Sequence, residues 1–448
     1  MSFNKKIVAT ANQVVDAAIA DTLAIRGNGA VVGIAPAGAG KSYAIATAVE
    51  RARAEKMRVA VVTPTNEQAF ALVRDLGERL KTDQISYVHS ATVLMPSDCA
   101  RRNVTEKKAK EVARDGLVVG TLSKLGDAHA RGDLTPFDLL LIDEAYQANA
   151  VHYYGVGDLA PRHLLMGDSG QLAPFTTAPE PDRWRGLSED PLLTAVEVLL
   201  LNHTKTKRHY LPISRRLDPR AIPVARSFYP DHVFEAAVLP GVRKLILESA
   251  SGRNFRDQDA ALEKASTAGW AHVELPDAAV LTTDPRAIWF IVSTIQRLFK
   301  RKPRVHCENH PKGRALEQAD VAVAVSHNDQ KDLLRAELAD AGFPDVRVNT
   351  ANKLQGLTFE VVIAWHPLSG LVEGDAFHLD PGRLCVMLTR HRQACIVLGR
   401  AADRRLVEGI PPSTPSYVGW DVNPALDGWY AHEAVFSALD PFRITARV

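Results

Sequence analysis

The stretch GIAPAGAGKSYAIA, Gly33 to Ala46, decides how this chain is read. An apolar strand, a glycine-rich turn and the start of a helix follow one another there. Against the pattern G-x-x-x-x-G-K-[ST], Gly40, Lys41 and Ser42 fill the last three positions, and Ala35 stands where the first glycine belongs. Such a turn works because successive backbone N–H groups, here those of Ala37, Gly38, Ala39 and Gly40, converge on an anion at the head of a helix. Lys41 then reaches the β- and γ-phosphates of a nucleotide, and Ser42 is a ligand for Mg²⁺. Alanine is the smallest departure from glycine that the first position allows. A glycine-rich turn that merely imitates the motif is the bland alternative; the strand before it and the helix after it favour the phosphate loop.

Two further stretches point the same way. LLLIDEAYQ (139–147) is a hydrophobic strand ending in Asp143 and Glu144. Opposite a phosphate loop, Asp143 would hold Mg²⁺ and Glu144 would activate the attacking water. On its own the segment reads equally as an acidic helix cap. LLMGDSGQLAPF (164–175) sets Gln171 after a strand and a turn shaped by Asp168 and Pro174, within reach of a γ-phosphate and of the next element. Alone, it is a surface turn.

The totals bound the rest. At 448 residues, 46% hydrophobic and 24% charged, the chain has the composition of an ordinary globular protein with two to three domains. Its formal net charge of +2 is compatible with a nucleic-acid partner without arguing for one. The four cysteines, Cys99, Cys307, Cys385 and Cys395, form no C-x-x-C pair, so neither a zinc ribbon nor a disulfide framework is expected. The N-terminal MSFNKKIVATANQ lacks the apolar core of a secretory signal. With no apolar run long enough to span a bilayer, a cytoplasmic protein without a membrane partner is the expectation.

Along the chain, continuous apolar runs alternate with helical patterns. This predicts α/β architecture, with mostly parallel sheets covered by helices on both faces. MRVAVVTPT (57–65), DGLVVGTLSKL and FDLLLIDEAYQ supply strands of a first domain over 1–205, with a small accessory element possible over 76–116. Residues 206–280 read as a connecting segment, polar and glycine-punctuated in their second half. The alternation resumes over 281–408, where FEVVIAWHPL, LCVMLTRHR and ACIVLGR are strand-like, and a proline-rich tail with a short helical pattern fills 409–448.

The order of these pieces resembles the superfamily 1 helicases, in the branch that includes the Upf-like enzymes, from about Asn12 to Arg400. Asn12-Gln13 resembles the adenine-reading Q motif, APAGAGKS motif I, VVTPTNEQA motif Ia, and VVGTLSKL motif Ic. LLLIDEAYQ is motif II and MGDSGQLAPF motif III. LPISRRLDPRAIPVARSFY resembles the arginine-bearing motif before the second domain, NTANKLQGLTFEVVI motif V, and GRLCVMLTRHR motif VI.

The resemblance implies two RecA-like P-loop domains with ATP in the cleft between them and a single nucleic-acid strand across both. Gln13 would read adenine. Lys41, Ser42, Asp143, Glu144 and Gln171 would form one half of the ATP–Mg²⁺ site, and Arg216 and Arg390 would reach in from the other domain. Gln355 and Gly356 would couple nucleotide to strand, with Thr358 and Glu360 nearby. Pro64, Thr65 and Asn66, with Thr63 beside them, Thr121, and Thr358 would contact the strand backbone.

The activity this resemblance implies is that of an ATP-hydrolysing translocase on single-stranded DNA or RNA, DNA ahead of RNA, unwinding with 5′–3′ polarity as a monomer. Two alternatives stay open: a partner-activated, nucleic-acid-dependent ATPase without robust unwinding, and a nucleotide-gated nucleic-acid-binding module. A P-loop small-molecule kinase fits less well, because a second α/β domain brings its own arginines. The chain departs from the family pattern at Ala35 and at Arg215, where an aromatic that stacks on adenine often precedes the motif's arginine. A guanidinium can also stack on a base.

Overall fold

The computed structural model describes residues 2–81, 83–174, 181–184, 187, 190–252, 255–280, 282–409 and 424–447. Contacts divide the chain into two compact units. One comprises Lys6–Ser169 with Ala173–Ile213, the other Met1–Lys5, Gly170–Leu172 and Ser214–Val448.

In the first unit, β1 (Gly29–Ile34), β2 (Val59–Thr63), β3 (Ile85–Val88), β4 (Val104–Lys107), β5 (Leu117–Thr121), β6 (Leu139–Ile142), β7 (Arg162–Gly167) and β8 (Lys207–Tyr210) form one eight-stranded sheet. Its order is β4-β3-β5-β2-β6-β7-β1-β8, and every pairing is parallel. The central strands β2, β5 and β6 are buried at each residue, which is why they read as unbroken apolar runs rather than alternating ones. Helices α1 (Lys5–Leu23), α2 (Lys41–Ala54), α3 (Asn66–Arg79) and α4 (Leu122–Ala130) supply the crossovers and cover. Val15, Ile19, Ile45, Val49, Leu72 and Leu76 from α1, α2 and α3 meet Val31, Val59, Val61 and Leu141 of the sheet in a single core. Over 76–116, where the sequence leaves a small accessory element possible, β3 and β4 extend this sheet to its edge.

The second unit carries a six-stranded sheet of β9 (Trp270–Leu275), β10 (Val321–Val325), β11 (Arg347–Thr350), β12 (Phe359–Trp365), β13 (His391–Arg400) and β14 (Arg443–Thr445). The order is β11-β10-β12-β13-β9-β14, again parallel throughout. Its core joins Ala261, Ile291, Ile295 and Leu334 of the covering helices to Val273, Val323, Ile363 and Ile396 of the strands. Two mostly parallel sheets flanked by helices make this the α/β architecture of two RecA-like domains. No helix among the described residues is long and apolar enough to cross a membrane.

Two segments differ from their sequence reading, and the tail, helical where its pattern indicates, adds a strand. The 206–280 stretch is no bare connection: β8 belongs to the first sheet, while helix Arg256–Ala268 and β9 build the second. LCVML is helical, within Pro381–Leu388, because Asp380 accepts from the N–H groups of Gly382 and Arg383 and Pro381 occupies the first turn. A short apolar run buried on all sides looks the same as helix or strand until its cap is recognised. In the tail, helix Pro424–Leu439 buries Val435, Phe436 and Leu439, and β14 closes the sheet edge. The prolines at 411, 412 and 415 lie outside the described residues, and Pro424 opens the helix.

The second unit also buries His272, His366, His391 and His432. The His366 ring lies 5.1 Å from that of His432 and 4.7 Å from Phe436. Burial pushes His272 down to about 4, with Arg443 and Arg404 adding to the effect. It pushes His391 and His432 down to about 3, and His366 well below its ordinary range. These rings are neutral in the fold and take up protons once unfolded, so their contribution is intact above pH 6.5 and is lost as pH falls from there toward 4. At pH 5 each depressed histidine withdraws about 2 kcal/mol of stability. Asp403, raised to about 7 by burial, works in the opposite direction and offsets about one of them. The second unit should therefore lose a few kcal/mol between pH 7.5 and 5, and His432→Phe should flatten that slope. Urea unfolding across this range measures it; a midpoint independent of pH would contradict the account.

Candidate functional site

The loop between β1 and α2 owes its shape to two glycines. Gly38 and Gly40 have φ of 74° and 99°, the left-handed region that a Cβ disfavours. Ala35 does not share that need. It is fully buried among the core side chains of the sheet, and its N–H donates to the Gly167 carbonyl at 2.8 Å. The position requires a small buried group, not a positive φ, and a methyl satisfies it. Ala37 and Ala39 are likewise buried, while Ser42 and Gln13 of α1 are exposed.

Lys41 opens α2, and its Nζ lies 3.1 Å from Glu144 Oε2 and 3.9 Å from Asp168 Oδ2. The sheet brings these groups together. The Ala145 N–H donates to the Met166 carbonyl at 2.9 Å and that of Ala35 to Gly167, which ties the ends of β6, β7 and β1 side by side. Burial alone would lower the Lys41 pKa, but the charges of Glu144, Asp168 and Asp143 outweigh it and raise the ammonium above its ordinary range. Burial, reinforced by Glu144, pushes the Asp143 carboxyl up to about 7, with Lys41 pulling against it. One ammonium thus faces three carboxyl groups, an arrangement short of positive charge.

Glu144 itself has φ 54°, a strained geometry for a residue with a side chain and one of three such non-glycine positions among the described residues. It is pinned there. Its N–H donates to Asp143 Oδ1 at 2.9 Å, and its carbonyl accepts from Gln147 N–H at 2.8 Å. From this pinned backbone the carboxylate meets Lys41.

Other sequence-selected residues cluster in the second unit. Gln171 accepts from Gln355 Nε2 at 3.1 Å, which joins motifs III and V. Gly356 follows at φ 79°, and Thr358 is exposed. Arg216 Nη1 donates to the Thr389 carbonyl at 3.4 Å, and fully buried Arg390 donates from Nη2 to the Thr389 hydroxyl at 3.2 Å, so both arginines are tied to one residue.

The strand-contact candidates have local duties. The Thr63 hydroxyl donates to the Thr65 carbonyl at 2.9 Å, Thr65 caps α3, and Thr121 caps α4. Asn66 accepts from the Tyr87 hydroxyl at 3.4 Å, and Pro64 is half-buried.

Sequence reasoning missed Arg243. Only 1% exposed, it donates from Nε and Nη2 to Glu308 at 3.1 and 2.6 Å, from Nη2 to the Arg215 carbonyl at 2.9 Å, and from Nη1 to the Arg216 carbonyl. Arg392, close to both Glu308 and Glu360, extends this web to motifs V and VI. One buried guanidinium therefore fixes the backbone that presents Arg216. Nothing in GVRKLIL marks it; only the buried carbonyls it satisfies do. Arg243→Met should destabilise the second unit by about 3–5 kcal/mol, because it leaves the half-buried Glu308 carboxylate and the Arg215 and Arg216 carbonyls without their main partner. Equilibrium unfolding in urea reads this directly, and a change under about 1 kcal/mol would argue against the clamp.

Two family models match the chain, each describing an AAA domain, one over residues 13–179 and the other over 281–402. They define a class of protein with paired P-loop-type domains. Given the motifs in their family order within those two domains, the chain belongs to the superfamily 1 helicases. No curated protein matches it. Among solved structures, it is similar to the helicase of PRRSV, at 16% identity and TM-score 0.43 over 87% of this chain and 54% of that one. It is also similar to the arterivirus nonstructural protein 10 helicase, at 14% identity and TM-score 0.43 over 86% and 61%. A third is the Pyrococcus furiosus Hef helicase domain, at 11% identity and TM-score 0.37 over 90% and 98%. The chain spans little more than half the length of the two viral helicase chains, and likenesses this distant carry no weight for activity.

Proposed function

We propose that this chain hydrolyses ATP to drive movement along single-stranded nucleic acid, with DNA ahead of RNA as the track and 5′–3′ polarity. The observation that carries the reading is the Lys41–Glu144 pair at 3.1 Å beside a loop with two left-handed glycines. A surface turn has no use for a half-buried lysine held by the residue after a strand-terminal aspartate.

The residues fit both nucleotide and metal. Gly38 and Gly40 leave the loop backbone turned for an anion, and the carboxyl excess around Lys41 suits a cation. Ser42 and Asp143 would hold Mg²⁺, which when bound supplies positive charge against the phosphates. Lys41 binds phosphate only by leaving Glu144, so nucleotide entry frees the carboxylate to orient water and accept its proton. Gln13 reads the base, Gln171 and Gly356 with Gln355 sense the phosphate, and Arg216 and Arg390 neutralise charge that develops in the transition state. Pro64, Thr65, Asn66, Thr121 and Thr358 line the strand path through their backbone and hydroxyl groups, giving sequence-tolerant, salt-sensitive binding.

The test is the steady-state ATPase rate with no polymer, with single-stranded DNA and with single-stranded RNA, at low and moderate salt. Strong stimulation by one polymer is expected, and strand displacement on tailed duplexes then reads polarity. Hydrolysis that neither polymer accelerates would sink the motor reading in favour of a partner-activated ATPase.

A further inference from the structure

Between the motif Ia turn and Glu144 runs an unbroken line of hydrogen bonds. The Thr65 N–H donates to Gln68 Oε1 at 3.1 Å. Gln68 Nε2 donates to Gln147 Oε1 at 2.8 Å, and Gln147 Nε2 donates to Glu144 Oε2 at 3.2 Å. The same Glu144 oxygen faces Lys41. Each amide accepts on one side and donates on the other, so the dipoles all point from the Thr65 backbone toward the carboxylate. Chains polarised in one sense reinforce each link.

The ends of this line are special. At one end, Thr65 and Gln68 form a capping box that fixes the first turn of α3, so the turn cannot shift without moving the Gln68 amide. At the other, Glu144 sits at φ 54°, where a side-chain tether decides which way the carboxylate points. Gln147 also closes a turn on Glu144, since its N–H donates to the Glu144 carbonyl at 2.8 Å. It therefore grips Glu144 by backbone and side chain together.

We propose that Gln68 and Gln147 are positioning residues that transmit strand engagement at the motif Ia turn to the Glu144 carboxylate. This rests on the reading of Glu144 as the base of a strand-stimulated ATPase. When a strand docks on Pro64, Thr65 and Asn66, the capped turn adjusts, the Gln68 amide follows, and Gln147 turns the carboxylate, already freed from Lys41 by nucleotide, toward the water it activates.

Gln68→Glu separates this role from a structural one. Glutamate keeps the Thr65-x-x-Glu capping box, so α3 stays capped. A carboxylate cannot donate to Gln147, however, and if the Gln147 amide turns to donate to it, its oxygen faces Glu144. In the full chain with a thymidine oligonucleotide as probe, Q68E should lower kcat at saturating strand about tenfold, the size of a lost hydrogen bond to a charged group. The KM for ATP, the half-saturating strand concentration and the melting temperature should stay at wild-type values. Gln147→Leu should give a similar loss, and the double variant should be no worse than either single one, because both cut one line.

Wild-type stimulation retained in Q68E, a parallel loss of strand affinity, or losses that add in the double variant would each overturn the relay while leaving the motor reading intact. A wild-type rate unmoved by either polymer overturns the motor reading and the relay with it.

Discussion

Glu144→Gln is expected to lower ATP turnover by about 10²–10⁴-fold, the usual worth of a positioned general base. The substitution keeps the shape of the side chain and the pinned backbone, and φ 54° is no harder for glutamine than for glutamate. It removes the charge that accepts the proton. It also takes from Lys41 its ionic partner at 3.1 Å, which leaves the ammonium free for phosphate, so nucleotide affinity should hold or rise. Turnover from product release under multiple-turnover conditions, compared with retention of a fluorescent nucleotide analogue, separates the two effects. A variant that turned over at the wild-type rate would remove Glu144 from the base's position.

The other large effect is expected at Arg390. An arginine that meets a transferring phosphoryl group is worth roughly 10³–10⁵ in rate. Arg390 is fully buried and tied through Nη2 to the Thr389 hydroxyl, which itself donates to the Cys385 carbonyl at 2.7 Å. Its guanidinium is held by a helix end rather than left to sample rotamers, which is what an electrostatic stabiliser needs. Arg390→Ala should bring turnover down by that order with the KM for ATP little changed. Arg390→Lys should recover only a small part, since an ammonium lacks the forked, planar geometry. Melting curves of both variants control for the vacated volume. If alanine and lysine both hydrolysed ATP normally, the role would pass to Arg216, tied to the same Thr389.

Much of the fold and the site was legible in the chain. The strands flanking the phosphate loop could be read because a parallel sheet buried on both faces writes itself as unbroken apolar runs, as in β2, β5 and β6. The cluster of Lys41, Asp143 and Glu144 could be read because its chemistry is confined to a few residue types at fixed distances from strand ends. Helix Pro381–Leu388 was missed because complete burial erases helical periodicity. Arg243 and Glu308 were invisible for another reason. Their task is to satisfy carbonyls far away in sequence, and an arginine written in a chain carries no sign of which backbone it will hold. The Gln68–Gln147 contact belongs with them, since an amide advertises neither donor nor acceptor partner.

The pairing of β1 has a consequence for how the protein comes into being. Gly29 lies against Arg162 and Val31 against Lys207, so the strand that launches the phosphate loop has both its neighbours far downstream. During synthesis β1 leaves the ribosome before every other strand of its sheet and waits. The β2–β5–β6 centre can assemble meanwhile, but β1 has no partner until β7 emerges and no second one until β8 does. The loop that would grip the nucleotide is thus among the last pieces of its sheet to form, although its strand precedes all the others of that sheet in the chain. A nascent chain stalled before β8 should therefore be unable to hold nucleotide, however well its central strands have folded.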